Sequence, residues 1–170
     1  MASRVPRDSG PITVRPARVD DLEAMGRLGG DLVRTHHALD AQRFMLPDDV
    51  DEGYRWWFGK ELANRKAHLL VAEAPDGSLV GYAYARMEPR DWAALRDRCA
   101  VLHDILVVPG ARRHGVARLL LDAVAQWARE RGAPRLVLHT ASGNEAAQAL
   151  FRGAGFRPTM VEMTLELDEE

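Results

Sequence analysis

The stretch Leu102-His103-Asp104-Ile105-Leu106-Val107-Val108-Pro109-Gly110-Ala111-Arg112-Arg113-His114-Gly115-Val116-Ala117 decides how this chain folds. An apolar, β-branched run ends at Pro109-Gly110, a short basic loop follows, and an amphipathic helical pattern begins directly after the loop. Such a junction directs unpaired backbone N–H groups and the positive end of a helix dipole at one place. The stretch therefore predicts a strand, a turn and a helix whose N-terminus binds an anion, with a pyrophosphate as the expected ligand.

The two glycines of this loop do not form a nucleotide-hydrolysing site. Gly110 and Gly115 have the spacing of a P-loop, in which the next two residues are Lys and Ser or Thr. Here those residues are Val116 and Ala117, which can hold neither phosphate nor Mg²⁺ through their side chains. The Gly-x-Gly-x-x-Gly pattern of dinucleotide-binding proteins is also absent from the loop. The loop is thus expected to bind a phosphate without cleaving it.

Two motifs in sequence order resemble those of a known family. Val107 to Pro109 reads Val-x-Pro, and Arg112 to Ala117 reads Arg-x-x-Gly-x-Ala. One strand later, Asn144 to Phe156 reads Asn-Glu-Ala-Ala-Gln-Ala-Leu-Phe-Arg-Gly-Ala-Gly-Phe. Both resemble motifs of the GNAT superfamily, the acyl-CoA-dependent N-acyltransferases, and the resemblance covers residues 12–167. One departure is Phe151, where the family usually has a tyrosine.

The resemblance and the hydrophobic periodicity imply one α/β domain over residues 12–170, preceded by a flexible leader at residues 1–11. The expected fold is GNAT-like: a mixed central sheet of about six to seven strands, splayed at the cofactor site and flanked by helices. A strand–helix–strand unit in the middle predicts a parallel crossover. Gly29-Gly30 is expected to end or break the first helix, and the alternating residues 160–167 are expected to form a closing strand.

The resemblance implies acetyl-CoA as cosubstrate, with the loop wrapping its pyrophosphate. A β-bulge near Ile105–Val107 would free a backbone N–H to polarise the thioester carbonyl. Asn144 is expected to cap the N-terminus of a helix, and the resemblance implies that it also hydrogen-bonds the pantetheine arm. Phe151 is expected to form an apolar wall for that arm. The expected cofactor-binding residues are Ile105, Leu106, Val107, Arg112, Arg113, His114, Gly115, Val116, Ala117, Asn144 and Phe151.

His103 is the first candidate for the base that deprotonates an amine substrate, because neutral imidazole suits that task near pH 7. A strand histidine bonded to a neighbour is the structural alternative. Strand alternation would place its side chain on the face of Val101 and Ile105. Asp104 and Glu88 are the reserve candidates. Phe151 cannot protonate the leaving thiolate, which leaves Tyr82, Tyr84 or water for that step.

Composition limits the class of protein. The chain has 170 residues, 46% of them hydrophobic, and a formal net charge of −2, which disfavours disorder and general nucleic-acid affinity. No apolar run is long enough to predict a membrane span. A single cysteine, Cys99, excludes internal disulfides and fits a cytoplasmic location. The histidines have no metal-ligand spacing, so no metal is expected.

The acceptor is expected to be a small-molecule amine. Residues 40–53 contain five acids against one arginine, which would attract a cation, although a solvated loop followed by a helix start that favours acids is the preferred explanation. Trp56-Trp57-Phe58 would line the acceptor pocket or join two copies in a homodimer. The interpretation is therefore an acetyl-CoA-dependent N-acetyltransferase of a polyamine, amino acid, aminoglycoside-like or other amine. Three alternatives stay open: an acyl-CoA-binding protein with little catalysis, acetylation of a protein or peptide amine, and a non-enzymatic interaction module.

Overall fold

The computed structural model describes residues 10–167, which contain five strands, four α-helices and two short 3-10 helices. The strands are β1 Thr13–Pro16, β2 Ala67–Glu73, β3 Leu79–Glu88, β4 Cys99–Val107 and β5 Leu136–Leu138. The helices are α1 Leu22–Leu39, α2 Val50–Glu61, α3 Val116–Glu130 and α4 Glu145–Gly153. The expected leader at residues 1–11 lies almost entirely outside the described residues. None of the described helices is long and apolar enough to cross a bilayer.

The strands form one mixed sheet in the order β1-β2-β3-β4-β5. The first four strands are antiparallel, and β5 runs parallel to β4, as the strand–helix–strand pattern predicts. The central run Leu69-Leu70-Val71-Ala72 is buried throughout because both faces of the sheet are covered. Its even-numbered residues pack with α3, and its odd-numbered residues pack with α1 and α2. The expected α/β fold is confirmed, with five strands in place of six to seven.

The predicted closing strand over residues 160–167 is wrong for the described structure. The segment has the apolar alternation of a strand, yet it pairs with no strand of residues 10–167, and its apolar side chains are exposed. The alternation of apolar and polar residues indicates that a segment suits a pleated sheet surface. It does not show that a neighbouring strand is present to complete the backbone hydrogen bonds. The sheet therefore ends at β5.

The predicted break at Gly29-Gly30 is also wrong, because α1 continues through both residues. These glycines allow α1 and α2 to pack closely. A Cβ atom on Gly29 would lie 2.2 Å from the ring of Tyr54, and one on Gly30 would lie 1.7 Å from the carboxylate of Asp51. The contact between helices therefore offsets the usual cost of glycine in a helix.

Helix α3 buries a slightly different face from the apolar stripe that its sequence predicts, which consists of Val116, Leu119, Leu120, Ala123, Val124 and Trp127. Val116, Leu120 and Val124 are buried as expected, but Leu119 is about half exposed and Leu121 is buried instead. The buried stripe faces β3 and β4, and it fixes the basic loop at the N-terminus of α3 above the end of β4. That loop is where the expected anion site lies.

Candidate active site

Strands β4 and β5 separate beyond Leu102, and this opening forms the centre of the candidate site. Their parallel pairing covers only Ala100, Val101 and Leu102 of β4, and β5 ends at Leu138. The rest of β4 keeps its pairing with β3. One edge of the second half of β4 therefore faces a gap, within the part of the chain that the structure describes.

A β-bulge in β4 determines which groups face this gap. Tyr84 and Ala85 of β3 pair with Asp104 and Leu102, so that His103 is the extra residue. The bulge therefore lies about two residues earlier in the chain than the expected position near Ile105–Val107. Before the bulge the N–H of Ala100 points to β5, and after it the N–H of Val108 points to β3. Strand alternation then directs the N–H groups of Ile105 and Val107 into the gap.

The bulge also corrects the expected orientation of His103. Its side chain does not share a face with Ile105, which packs against the core on the α3 side. His103 instead stacks on Tyr84 on the α1–α2 side, with ring centroids 5.2 Å apart. Because a bulge re-aims side chains, the two adjacent candidates His103 and Asp104 both lie on this face.

His103 and Glu88 are directly connected. Nε2 of His103 lies 3.0 Å from Oε1 of Glu88, and the histidine side chain is 38% exposed. A carboxylate bound to one imidazole nitrogen fixes the orientation of the ring and leaves the other nitrogen available for a proton. The sequence named both residues as candidates, and the structure brings them together as a pair.

Asp104 is in a different environment from His103. It accepts a hydrogen bond of 3.2 Å from the hydroxyl of Tyr82. Burial raises the pKa of Asp104 to about 6, and the Tyr82 hydrogen bond and the nearby His103 oppose this only in part. Burial also raises the pKa of Tyr82 well above its ordinary value, so that its hydroxyl remains a donor.

Glu61, at the end of α2, was not found from the sequence. It is almost fully buried and accepts a hydrogen bond of 2.7 Å from the hydroxyl of Tyr84. Arg86 lies 3.9 Å from Glu61 and 3.8 Å from Glu88. A single acid on a polar helix resembles any surface residue in sequence, so no signal distinguished it. The hydroxyls of both candidate tyrosines are therefore bonded to carboxylates.

The basic loop is shaped by two residues with left-handed backbone angles. Gly115 has φ +76° and Arg113 has φ +64°, and the left-handed region is open to glycine at little cost. The guanidinium of Arg112 donates a hydrogen bond of 2.9 Å to the carbonyl of Val107. Arg112 thus ties the loop to the last residue of β4, beside the gap.

The N-terminus of α3 has the features of an anion site. The first N–H bonded within the helix is that of Leu119, which donates to Gly115. No side chain of the described residues caps this end, and its first turn contains no acid. The N–H groups of Val116 and Ala117 are thus directed at the loop together with the positive helix dipole.

Asn144 and Phe151 belong to the second motif. The side chain of Asn144 accepts a hydrogen bond of 3.1 Å from the N–H of Ala147, so its role as an N-cap is confirmed. Phe151 is buried between α4 and the sheet and contacts Phe156 edge to face. Neither position contributes a hydroxyl group to the gap.

The acidic loop is partly neutralised by arginines. Asp51 pairs with Arg34, and Glu52 pairs with Arg55, which lowers the pKa of Glu52. Of the three consecutive aromatic residues, Phe58 is buried against Tyr82 and Tyr84. Trp56 and Trp57 are the outward members, exposed as helical geometry requires. The lone Cys99 is buried, as expected.

These features define an α/β protein with a candidate anion site at a strand-to-helix junction beside a splayed sheet. A model of the acetyltransferase (GNAT) family matches residues 33–156, which is most of the chain. The chain therefore belongs to the GNAT acetyltransferase family.

Two curated relatives and one solved structure illustrate this membership. An aminoglycoside N(6')-acetyltransferase type 1 of Klebsiella aerogenes is 37% identical over 54% of this chain and 60% of its own length. A streptothricin acetyltransferase of Streptomyces lavendulae is 35% identical over 58% of this chain and 49% of its own length. The chain thus spans about half to three fifths of these relatives. A structure of AAC(6')-Iy in complex with the bisubstrate analog CoA-S-monomethyl-acetylneamine superposes with a TM-score of 0.74. The match covers 94% of this chain and 99% of that chain at 22% sequence identity, which shows a shared fold.

The raised pKa of Asp104 predicts how stability depends on pH. Because the folded state favours the protonated carboxyl, folding stability should fall as the pH rises from about 4 to about 6 and stay at the lower level above that. Asp104→Asn removes this loss of stability and can still accept from Tyr82. We expect it to raise the free energy of unfolding by about 2 kcal/mol at pH 7.5. Below about pH 4 the gain should vanish, since the carboxyl is then protonated in both states.

Urea denaturation at pH 4, 6 and 7.5 measures this dependence. Asp48→Asn, in the exposed loop, is the matched control and should change stability little at each pH. A destabilised Asp104→Asn at pH 7.5 would contradict the expected cost of the buried charge.

Proposed function

We propose that this protein is an acetyl-CoA-dependent N-acetyltransferase that acetylates a primary amine of a small, cationic molecule. The observation that carries the proposal is the opening between β4 and β5, which directs two backbone N–H groups into a gap beside an uncapped helix N-terminus. Membership of the GNAT family supports the reaction class. The names of the curated relatives, which refer to aminoglycosides and streptothricin, support a small-molecule acceptor.

The residues present fit acetyl-CoA as cosubstrate, which would supply an activated acetyl group as a thioester. The N–H groups of Val116 and Ala117 would hold its pyrophosphate, with added positive charge from Arg113. The N–H groups of Ile105 and Val107 would donate hydrogen bonds to the acetyl carbonyl oxygen, where negative charge develops during attack. Phe151 would contribute an apolar wall and Asn144 a polar group near the pantetheine arm.

His103 would act as the base for the amine. An ammonium group must lose a proton before its nitrogen can attack, and a positioned imidazole can accept that proton directly or through water. Glu88 would be a positioning residue that holds the ring through Nε2. Asp104 lies on the same face and would add negative charge near the acceptor once ionised.

The first test measures turnover directly. The protein is incubated with acetyl-CoA and a panel containing an aminoglycoside, a polyamine, an amino acid and a peptide, while free thiol is followed with a thiol reagent. The single cysteine of the chain is buried, so the signal reports CoA. We expect thiol release with at least one small amine. Binding of CoA without turnover favours the non-catalytic alternative suggested by Phe151, turnover with the peptide alone favours a protein acceptor, and no CoA binding overturns the proposal.

A charge placed beside the anion site tests where the pyrophosphate binds. His114 is exposed in the loop immediately before Gly115, and Glu and Gln differ there in charge alone. We expect the Kd for CoA of His114→Glu to be about 5- to 10-fold higher than that of His114→Gln at low salt, because the carboxylate repels phosphate. The difference should shrink at 0.5 M salt. Equal Kd values in calorimetric titrations would place the phosphates elsewhere.

Removal of the imidazole tests the base. His103→Ala should lower kcat/KM by about 10²-fold and change the pH profile of kcat/KM, because it removes a positioned proton acceptor. Glu88→Gln retains a hydrogen-bonding partner and should reduce kcat/KM by less. An unchanged pH profile in His103→Ala would remove His103 from the mechanism.

A further inference from the structure

One face of β3 carries a row of polar side chains on the side of α1 and α2: Tyr82, Tyr84, Arg86 and Glu88. The residues between them are small or apolar and pack in the core on the α3 side. The two tyrosines donate to carboxylates, and Glu88 is bonded to His103. The proposed reaction uses Glu88 and His103 but not Arg86, which stands between Tyr84 and Glu88 in this row.

Arg86 lies between two carboxylates that belong to different elements. Its Nη1 is 3.9 Å from Oε2 of Glu61 on α2, and its Nε is 3.8 Å from Oε1 of Glu88 on its own strand. This Nε is buried and makes no hydrogen bond among residues 10–167. At these separations the guanidinium acts on both carboxylates through its charge rather than through a short hydrogen bond. Arg86 is therefore a counterion that Glu61 and Glu88 share.

The carboxylate oxygen that Arg86 approaches is also the atom that holds His103. Oε1 of Glu88 lies 3.0 Å from Nε2 of His103 and 3.8 Å from Nε of Arg86. The guanidinium compensates part of the charge of this carboxylate and repels a second cation beside it. A proton on the imidazole is thus less favoured than it would be beside Glu88 alone. Because a base must be neutral to accept a proton, this arrangement favours the reactive form of His103.

We propose that Arg86 is a positioning residue, whose charge, shared between Glu61 and Glu88, weakens the pairing of Glu88 with a protonated His103 and so keeps the imidazole neutral. Because this role concerns the base, it rests on the proposed function. Arg86 acts through Glu88 and needs no contact with the amine or with acetyl-CoA.

The other titratable groups around His103 come from each element packed on this face. They are Tyr82 and Tyr84 of β3, Asp104 of β4, His36 of α1, and Tyr54 and Glu61 of α2. All of them stay in place when Arg86 alone is replaced. A change in the protonation of His103 in such a variant therefore reports the charge of Arg86.

An NMR titration of the imidazole measures this effect in the protein alone, without acetyl-CoA or amine. The chain has six histidines, and the spectrum of His103→Ala identifies the signals of His103. We expect the midpoint of the His103 titration to move to higher pH by about 0.5 unit in Arg86→Gln, because the positive charge is lost. Arg86→Lys keeps the charge and should keep the midpoint close to that of the unchanged protein.

Glu61→Gln should move the midpoint in the opposite direction, and it tests the proposal even where Arg86→Gln folds poorly. Its amide oxygen can still accept from Tyr84, but the loss of negative charge leaves Arg86 to Glu88 alone, so the midpoint should move to lower pH. Arg55→Gln is the matched control, because Arg55 is an exposed arginine of α2 paired with Glu52, and it should leave the midpoint unchanged. An unchanged midpoint in both Arg86→Gln and Glu61→Gln overturns the proposal.

The pH profile of kcat/KM separates this proposal from the proposed function. We expect the acid limb of the profile to move to higher pH in Arg86→Gln and to lower pH in Glu61→Gln, in step with the NMR midpoints. Midpoints that move while the acid limb stays in place overturn the role of Arg86 in catalysis. Midpoints that move as expected in a protein that acetylates no amine support the charge coupling and overturn the proposed function instead.

Discussion

The end of pairing between β4 and β5 at Leu102 is the constraint on which the rest of the site depends. A strand that keeps one neighbour and loses the other retains its position but leaves backbone groups without a partner on the open edge. Helix α3 is buried against β3 and β4, so it holds the basic loop at the end of the same strand. The gap and the free N–H groups are thus consequences of one separation in the sheet, and the packing of α3 places its positive N-terminal end beside them.

The bulge at His103 determines which side chains lie beside this gap. One additional residue changes the parity of β4, so that a histidine and an aspartate that are adjacent in sequence lie on the same face. Each then has its own partner, Glu88 for His103 and Tyr82 for Asp104. The two groups differ because Asp104 is only partly exposed whereas His103 is open to solvent, where an amine can reach it.

The sequence predicted the fold better than the details of the site. The loop motif, the parallel crossover and the N-cap at Asn144 follow from local patterns, and the structure contains all three. The bulge position, the role of Gly29-Gly30 and the buried Glu61 depend on contacts between distant segments, which periodicity does not contain. Residues 160–167 illustrate the same limit, because alternation predicts a strand, yet the segment pairs with no strand of the described residues.

The hydrogen bonds of the site limit which groups can donate a proton in the proposed reaction. The hydroxyls of Tyr82 and Tyr84 donate to Asp104 and Glu61, and Phe151 has no hydroxyl to offer. The described side chains are therefore better arranged to take a proton from an amine than to give one to a leaving group. This imbalance is tolerable for a thioester, because a thiol titrates near 8.5 and its anion leaves readily at neutral pH. An alkoxide would depend on such a proton far more strongly, and the hydroxyls of Tyr82 and Tyr84 are already bonded to carboxylates, so the geometry favours a thioester donor over an oxygen ester.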